Sequence, residues 1–506
     1  MKAKYIFQGL MCALMLSVAS CSLDYDPVDT YSDVTQGIDE SGKEIVFKNK
    51  EDVESHMKTL YNQMRDRQEH WYIDLLLIAD SHSDNAYAGT TGAEVVPFEN
   101  NAIEGSNSVV ERDWNRYLED VGRANVLIVN VDSVQDNTFS AAERAKYKAQ
   151  AKIFRAMVLF DMVRLWGDIP LITFIADDIT AETLDEVYPQ YFPKQSTEEE
   201  VYKQIEADLL DALADAPNYS SDDKTLFTKT VARTLLAKVY AEKPLRDYNK
   251  VIQYCDAVTA DGPKLVEDFS DLFGMNEDNT DAKKRNTSES ILEAQFTSGS
   301  GNWCTWMLGR DIINWNSNFT WAKWITPSRD LIKAYETEKD QVRFQESVVY
   351  YECTWSNYYP SDHYPFMYKC RSANSSIIKF RYADILLLKA EALIMKDAPD
   401  LSAAADIIDQ IRTRAKLSKL SPAVRSNKTA MEDALLKERR LELAFEGQRW
   451  FDLVRLNKVE QVMNAVYAKD SGRKSQVYPF NKDSYRLPIP QAAIDKNVNL
   501  VQNPGY

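Results

Sequence analysis

Histidine is scarce in this chain: four residues in 506, His56, His70, His82 and His363. None stands at metal-ligand spacing from another histidine or from a cysteine, which argues against zinc. The signatures of common catalysis are missing as well. There is no G-x-S-x-G, no H-E-x-x-H, no phosphate-binding Walker loop and no G-x-G-x-x-G. "HSD" at 82–84 is too short to count as part of a triad. No catalytic residue, metal or cofactor is expected. Positive charge is outnumbered, 60 Lys and Arg against 77 Asp and Glu, for a formal charge of −17. Such a chain repels phosphate backbones, so nucleic acid is not expected as a partner. Beyond the first twenty residues no run of eighteen apolar residues occurs, so nothing there is expected to span a bilayer as a helix.

What is present begins with an export signal. Lys2 and Lys4 precede a mostly apolar run from Tyr5 to Val18, too short to span a membrane with margin. "VASC" (18–21) resembles a bacterial lipobox, which implies cleavage before Cys21 and lipid on its thiol and amine. The mature protein is then anchored to a membrane without crossing it. "SLDYDPVDTYSD" follows, polar and acidic with Pro27, and reads as a tether within an N-terminal segment at 21–50. Cys255, Cys304, Cys353 and Cys370 remain, with no C-x-x-C among them. An exported setting permits disulfides, and four cysteines allow three full pairings; free thiols are the alternative.

The composition, 44% hydrophobic and 27% charged, is that of a globular protein. Residues 142–166 are apolar on nearly every face after Ala156 and predict a buried helix stopped by Gly167. Thr197 with Glu200 forms a capping box ahead of a stripe of Tyr202, Ile205, Leu209 and Leu213. Helical pairs are predicted at 228–262 and 380–417, and a further one from a Thr429–Glu432 capping box. The pairs place small and large residues as tetratricopeptide helices do, without a strict 34-residue period. Trp71, Trp114, Trp166 and Trp450 fall in these patterns and are expected in the core.

Two regions fit no helical layer, 71–115 and 265–380. The second contains short strand-like runs, "ILEAQF" and "SVVYYE", and a helix expected at "TPSRDLIKAYE" with Thr326 as cap and Pro327 at its first position. It also contains "NWCTWMLGRDIINWNSNFTWAKW" (302–324), where half of the ten tryptophans lie. Rings at that density argue against disorder, and long loops of this kind are usually functional. A core explains one or two of them. A surface that grips something flat explains the others.

Four segments together resemble the SusD/RagB-like family, glycan-binding surface lipoproteins of Bacteroidetes nutrient-uptake systems. They are the lipobox with its tether; "FRAMVLFDMVRLWGDIPLIT" (154–173), an Arg-Ala helix before a Gly-Asp-x-Pro turn; "KFRYADILLLKAEALI" (379–394) with "ERRLELAFEGQRWFDLVRL" (438–456); and the tail "YRLPIPQAAIDKNVNLVQNPGY" (485–506). Taken by their chemistry alone, Arg439, Arg440, Glu442, Glu446, Arg449, Asp452 and Arg455 alternate in sign and are expected to form ion pairs that dock the last helices. Gly447 would let a helix break, and Pro488, Pro490 and Pro504 stiffen a tail laid over the body. "RLNK" (455–458) departs from the family, which commonly has an aromatic and a glycine there, and leaves a local turn in question.

The resemblance implies a mainly α fold: an irregular tetratricopeptide-like helix-pair scaffold with an inserted loop-rich ligand-binding region containing short strands. On that basis residues 1–20 are a signal peptide and 51–506 a single body. Its scaffold lies mainly at 141–262 and 380–460, its ligand-binding region at 71–115 and 265–380, and its tail at 485–506. The resemblance further implies an outer-membrane, surface-exposed lipoprotein that captures oligosaccharides and passes them to a SusC-like TonB-dependent transporter as its lid, without covalent chemistry. A surface glycoside hydrolase and a helical-repeat protein-interaction scaffold are the competing readings. A sugar ring offers an apolar face of axial C–H groups and a hydroxyl rim, which indoles and polar side chains match respectively. The candidate contacts are Trp303, Trp306, Trp315, Trp321, Arg310, Asn316 and Asn318 in the aromatic segment and Asp84, Asn85 and Tyr87 in the early loop. Trp321, like Trp324, lies close to the predicted capped helix, where core packing competes.

Overall fold

The computed structural model describes residues 47–506 apart from 90–91, 178, 180, 298–300 and 310–322. The scaffold helices are α1 (Lys50–Asp66), α2 (Ser108–Asn130), α3 (Ala141–Trp166), α4 (Glu198–Asp215), α5 (Lys229–Ala241) and α6 (Tyr248–Asp261). After an intervening region come α7 (Trp303–Met307), α8 (Arg329–Glu338), α9 (Tyr382–Met395), α10 (Leu401–Arg414), α11 (Lys428–Leu443) and α12 (Arg449–Arg455). Neighbours in the helical layer follow the chain: α2 packs on α3, α3 on α4, α4 on α5, α5 on α6, α6 on α9, and α9 on both α10 and α11. The fold is mainly α and the pairing is irregular, as tetratricopeptide-like helices without a fixed repeat require. No described helix is long and apolar enough to cross a membrane.

Helix α3 is the central beam. Ser140 and Glu143 close a capping box at its start, and its side chains are buried almost without break from Ala149 to Trp166. Gly167 ends it at φ +78°, a backbone region that suits glycine. Arg155, buried in its middle, donates two hydrogen bonds to Asp208 of α4 (2.8 and 2.7 Å) and one to Asn125 of α2 (2.7 Å). The three helices are thereby keyed in register. Trp114 meets Trp166 edge to face at 5.4 Å, and Trp71 and Trp450 are buried too.

Two helix starts differ from the sequence reading. α11 is capped by Asn427, whose side chain accepts from Ala430 N, and not by Thr429; asparagine is the stronger cap and gains two further residues of helix. α8 is capped by Ser328, whose Oγ accepts from Leu331 N at 3.1 Å. Thr326 and Pro327 instead form a strand, because their backbone is committed to pairing with residues 86–87.

The strands are short. β1 (Ala86–Tyr87) pairs with β3 (Thr326–Pro327), β2 (Ser290–Ala294) with β6 (Ile377–Arg381), and β4 (Val348–Tyr351) with β5 (Tyr364–Met367), all antiparallel. They fasten the intervening region to the helices through a buried charge cluster. Arg381 donates to Glu289 (2.7 Å), Glu442 (2.6 Å) and Glu446 (2.6 Å). Arg343 reaches Asp340 (2.5 Å), Glu438 (2.7 Å) and Glu442 (3.1 Å), and Arg414 reaches Glu289 and Glu442. The remaining charges of the alternating run pair as expected: Arg439 with Asp384 and Asp452, Arg440 with Asp330, and Arg455 with Glu391. At "RLNK" the turn is kept by Asn457, at φ +52°, asparagine being the residue that best replaces glycine in the left-handed region. Gly447, at φ +70°, separates α11 from α12. The tail crosses the end of α3: Trp166 Nε1 donates to Pro488 O (3.0 Å), and Leu487 N donates to Leu165 O (2.7 Å). Cys255, Cys304, Cys353 and Cys370 stand as free thiols, all but Cys353 buried.

Candidate functional site

The short helix α7 carries two indoles on one face. Trp303 and Trp306 are three positions apart, the spacing that puts side chains side by side. They are 43% and 50% exposed, whereas Cys304 and Thr305 between them point inward and are 1% exposed each. A five-residue helix is not stable by itself, and here it is held from several sides. Asn302 caps it, accepting from Cys304 N at 2.9 Å and donating from Nδ2 to Ser375 O at 2.8 Å. Gln68 clasps its start, accepting from Trp303 N (2.7 Å) and donating to Gly301 O (3.0 Å). Thr305 Oγ1 donates to Ser372 O at 2.8 Å. At the other end the buried Lys323 ammonium donates to Trp306 O at 2.5 Å, placing a cation against the helix C-terminus. The two rings therefore stand on a fixed platform.

The early loop lies inside the fold. Asp84, Asn85 and Tyr87, expected as ligand contacts, are 2%, 0% and 0% exposed. Asp84 receives two hydrogen bonds from Arg449 (2.7 and 2.8 Å) and lies 3.2 Å from Arg440. Asn85 accepts from Arg440 Nε (3.0 Å) and donates to Asp80 (2.9 Å). Tyr87 donates to Asp470 (2.7 Å) and stacks on Tyr358 at 4.6 Å. Contrary to the expectation of an exposed loop, each of the three is buried with its polar group turned onto a protein partner. Gly89 follows at φ +59°, packed so closely that a Cβ there would lie 2.0 Å from Lys323 O.

These buried carboxylates give stability a sign against pH. Burial opposes ionisation of Asp84, but Arg440 and Arg449 outweigh it and hold the carboxyl well below the usual range. Glu442 is held down likewise, by Arg414, Arg381 and Arg343 against the cost of burial. Groups depressed in the folded state contribute stability above the unfolded value, roughly pH 4, and lose it as the pH falls. Asp80 acts oppositely: burial pushes it up to about 6, so its contribution is present near pH 4 and lost as the pH rises through 6. Burial raises Asp113 and Asp340 as well, but Asp161, Asp384 and Asp452 join Asp84 and Glu442 below the usual range, so the depressed carboxylates are the more numerous. The urea midpoint is expected to fall steadily below about pH 4 and to change little from 6 to 8; a midpoint that holds down to pH 3 would refute this.

Trp315, Trp321, Arg310, Asn316 and Asn318 lie outside the described residues. Trp324 is partly buried and packs on the main core. The sequence reading passed over a second group of rings on the β4–β5 hairpin. Tyr350 stacks flat on His363 (4.1 Å, 1°), Tyr351 is exposed, and Trp355 meets Tyr364 and Phe366 edge to face. Its signal was the density of rings in "SVVYYECTWSNYYPSDHYPF" (347–366). The hairpin adjoins α7, since Gly309 bridges to Met367.

Comparison with known proteins bears on this arrangement. The family described as "SusD family" matches residues 361–506, and that described as "Starch-binding associating with outer membrane" matches residues 31–241. "SusD-like protein P2" of Formosa agariphila is 26% identical over 97% of this chain and 98% of its own length. A SusD-like protein of Bacteroides ovatus is 24% identical over 90% of this chain and 82% of its own. Among solved structures, a laminarin-binding SusD-like protein superposes with a TM-score of 0.70 at 23% identity, covering 91% of this chain and all of that one (100%). A SusD homolog from Bacteroides thetaiotaomicron gives 0.72 at 22% identity, covering 92% and 99%. These structures share the fold.

Proposed function

This chain belongs to the SusD family, and from that premise we propose that it is a glycan-binding lipoprotein of the outer-membrane surface. It captures an oligosaccharide at the cell surface and delivers it to a SusC-like TonB-dependent transporter, over which it sits as a lid. It carries out no covalent chemistry on the glycan.

The observation that carries this reading is the pair of solvent-facing indoles, Trp303 and Trp306, on a helix clamped at both ends. Exposed rings on a fixed base bind a flat apolar face without an ordering cost at the moment of binding. The laminarin-binding relative and the starch-binding family description point to the same ligand class. Binding is tested by calorimetric titration of the full chain with neutral glucan oligosaccharides, followed by a broad glycan array. Micromolar to millimolar affinity for at least one glycan is expected. Failure on the whole array favours a protein-interaction scaffold, and new reducing ends after incubation favour a hydrolase.

The anchor is assigned to Cys21. Cys21→Ala is expected to move the protein from the membrane fraction to the soluble fraction with its fold intact. Retention on membranes after a high-salt wash would place the anchor elsewhere. The transporter is expected to co-purify in mild detergent; repeated recovery of this chain alone would count against the lid.

A further inference from the structure

Beneath the indole platform two buried thiols line one cavity. Cys304, on the inward face of α7, and Cys370, just after β5, are 1% and 6% exposed. Both line one interior cavity of about 60 Å³, with Trp71, Tyr72 and Lys369 around them. The backbones on either side are already in register. Thr305 Oγ1 lies 3.2 Å from Cys370 Sγ and donates to Ser372 O, and Asn302 N donates to Ala373 O at 2.8 Å. Gly309 packs so closely that a Cβ there would lie 2.5 Å from Cys370 O. A disulfide needs two cysteines whose chains lie side by side, and these two segments are hydrogen-bonded to each other on both sides of the thiols, which share one cavity. Cys255 sits apart on α6, and Cys353 on the β4–β5 loop.

We propose that in the exported protein Cys304 and Cys370 are joined by a disulfide that staples the indole-bearing turn to the segment following β5. The compartment is the one implied by the export signal, where dithiol-oxidising proteins supply disulfides. One cysteine thiolate attacks the disulfide of such a donor, forming a mixed disulfide and releasing one donor thiol. The second cysteine thiolate then displaces the other donor sulfur. Two protein thiols lose two electrons and two protons, and the donor disulfide becomes a dithiol. Burial raises the Cys304 thiol far above its ordinary range, so the exchange belongs to folding, before α7 closes over its partner.

The bond closes the chain from 304 to 370 and fixes the base of the platform. The experiment recovers full-length protein from exporting cells under acid quench, blocks free thiols with an alkylating reagent in denaturant, and maps the cysteine peptides by mass spectrometry. The expected result is a Cys304–Cys370 peptide pair with Cys255 and Cys353 alkylated. Alkylation of all four, or a bridge between any other two, overturns the proposal. A second arm refolds the reduced protein with glutathione disulfide. If the pair forms there and not in cells, the compartment has been misread; if it forms in neither, the geometry has. Reduction of the native protein is expected to lower its melting temperature by about 3 °C. The same reduction is expected to leave a Cys304→Ser, Cys370→Ser double variant unchanged.

Discussion

Replacing Glu442 with leucine is expected to lower stability by about 3–5 kcal/mol, the cost of removing one partner from a buried ion network. This carboxylate is fully buried and accepts from Arg343, Arg381 and Arg414 at once. Arg343 and Arg381 come from the strand-bearing region, Arg414 from the helical layer, so one side chain holds the two parts together. Its loss leaves three guanidinium groups short of an acceptor in a site where water cannot substitute. For a chain of this length the melting temperature should fall by roughly 3–5 °C. The control is Glu199→Ala on the surface of α4, where both partners of the Lys203 pair are well exposed; there the change should stay within about 0.5 kcal/mol. Equal melting of Glu442→Leu and wild type would show that Glu289, Glu438 and Glu446 suffice without it.

Trp303→Ala with Trp306→Ala should have the opposite profile, large on binding and small on folding. A sugar covers about half of one indole face. At about 25 cal/mol per Å² that gives on the order of 1–2 kcal/mol for each stacked ring. Each single variant is therefore expected to weaken glycan binding by roughly five- to thirty-fold, and the double variant by roughly twenty-five- to nine-hundred-fold if the rings act independently. Because both rings are about half exposed, melting should shift by no more than a surface substitution does. Calorimetry beside a thermal melt separates the two effects. If the double variant binds as wild type does, the platform is not the contact surface; if it melts much earlier, the rings belong to the core.

The exposed rings were legible only as a density of tryptophans amid polar residues; the short helix that sets Trp303 and Trp306 side by side was not, because five residues in a loop-like stretch carry no helical period. Nor was the early loop. "DSHSDNAY" (80–87) looks like a solvent-exposed ligand loop because it is short-chained and polar. What buries it is a pair of arginines far along the chain: Arg449 meets Asp84 across 365 positions, Arg440 meets Asn85 across 355. A local window cannot tell a polar residue that faces water from one that faces a distant charge. The same limit explains the cap of α8. Thr326 has the right chemistry for a cap, but strand pairing with Tyr87 takes its backbone and shifts the start to Ser328. By contrast α3 was readable to within one residue, because a glycine ends it and its interior is apolar on nearly every side; the Ser140–Glu143 capping box that starts it at Ala141 went unread.

The tail laid over the end of α3 has a consequence for the order in which the chain can fold. Trp166 Nε1 finds its acceptor 322 residues later, at Pro488, and the carbonyls of Leu165 and Trp166 wait for Leu487 and Asn503. Contacts of such sequence separation must repay a large loop-closure entropy before they stabilise anything, and they slow the approach to the native state. Helices α2 to α6 can pair with near neighbours as soon as they are made, but the far end of the central beam stays unsealed until residues 487–503 are present. A chain threaded through a membrane from its N-terminus would therefore complete its core only after nearly all of it has emerged.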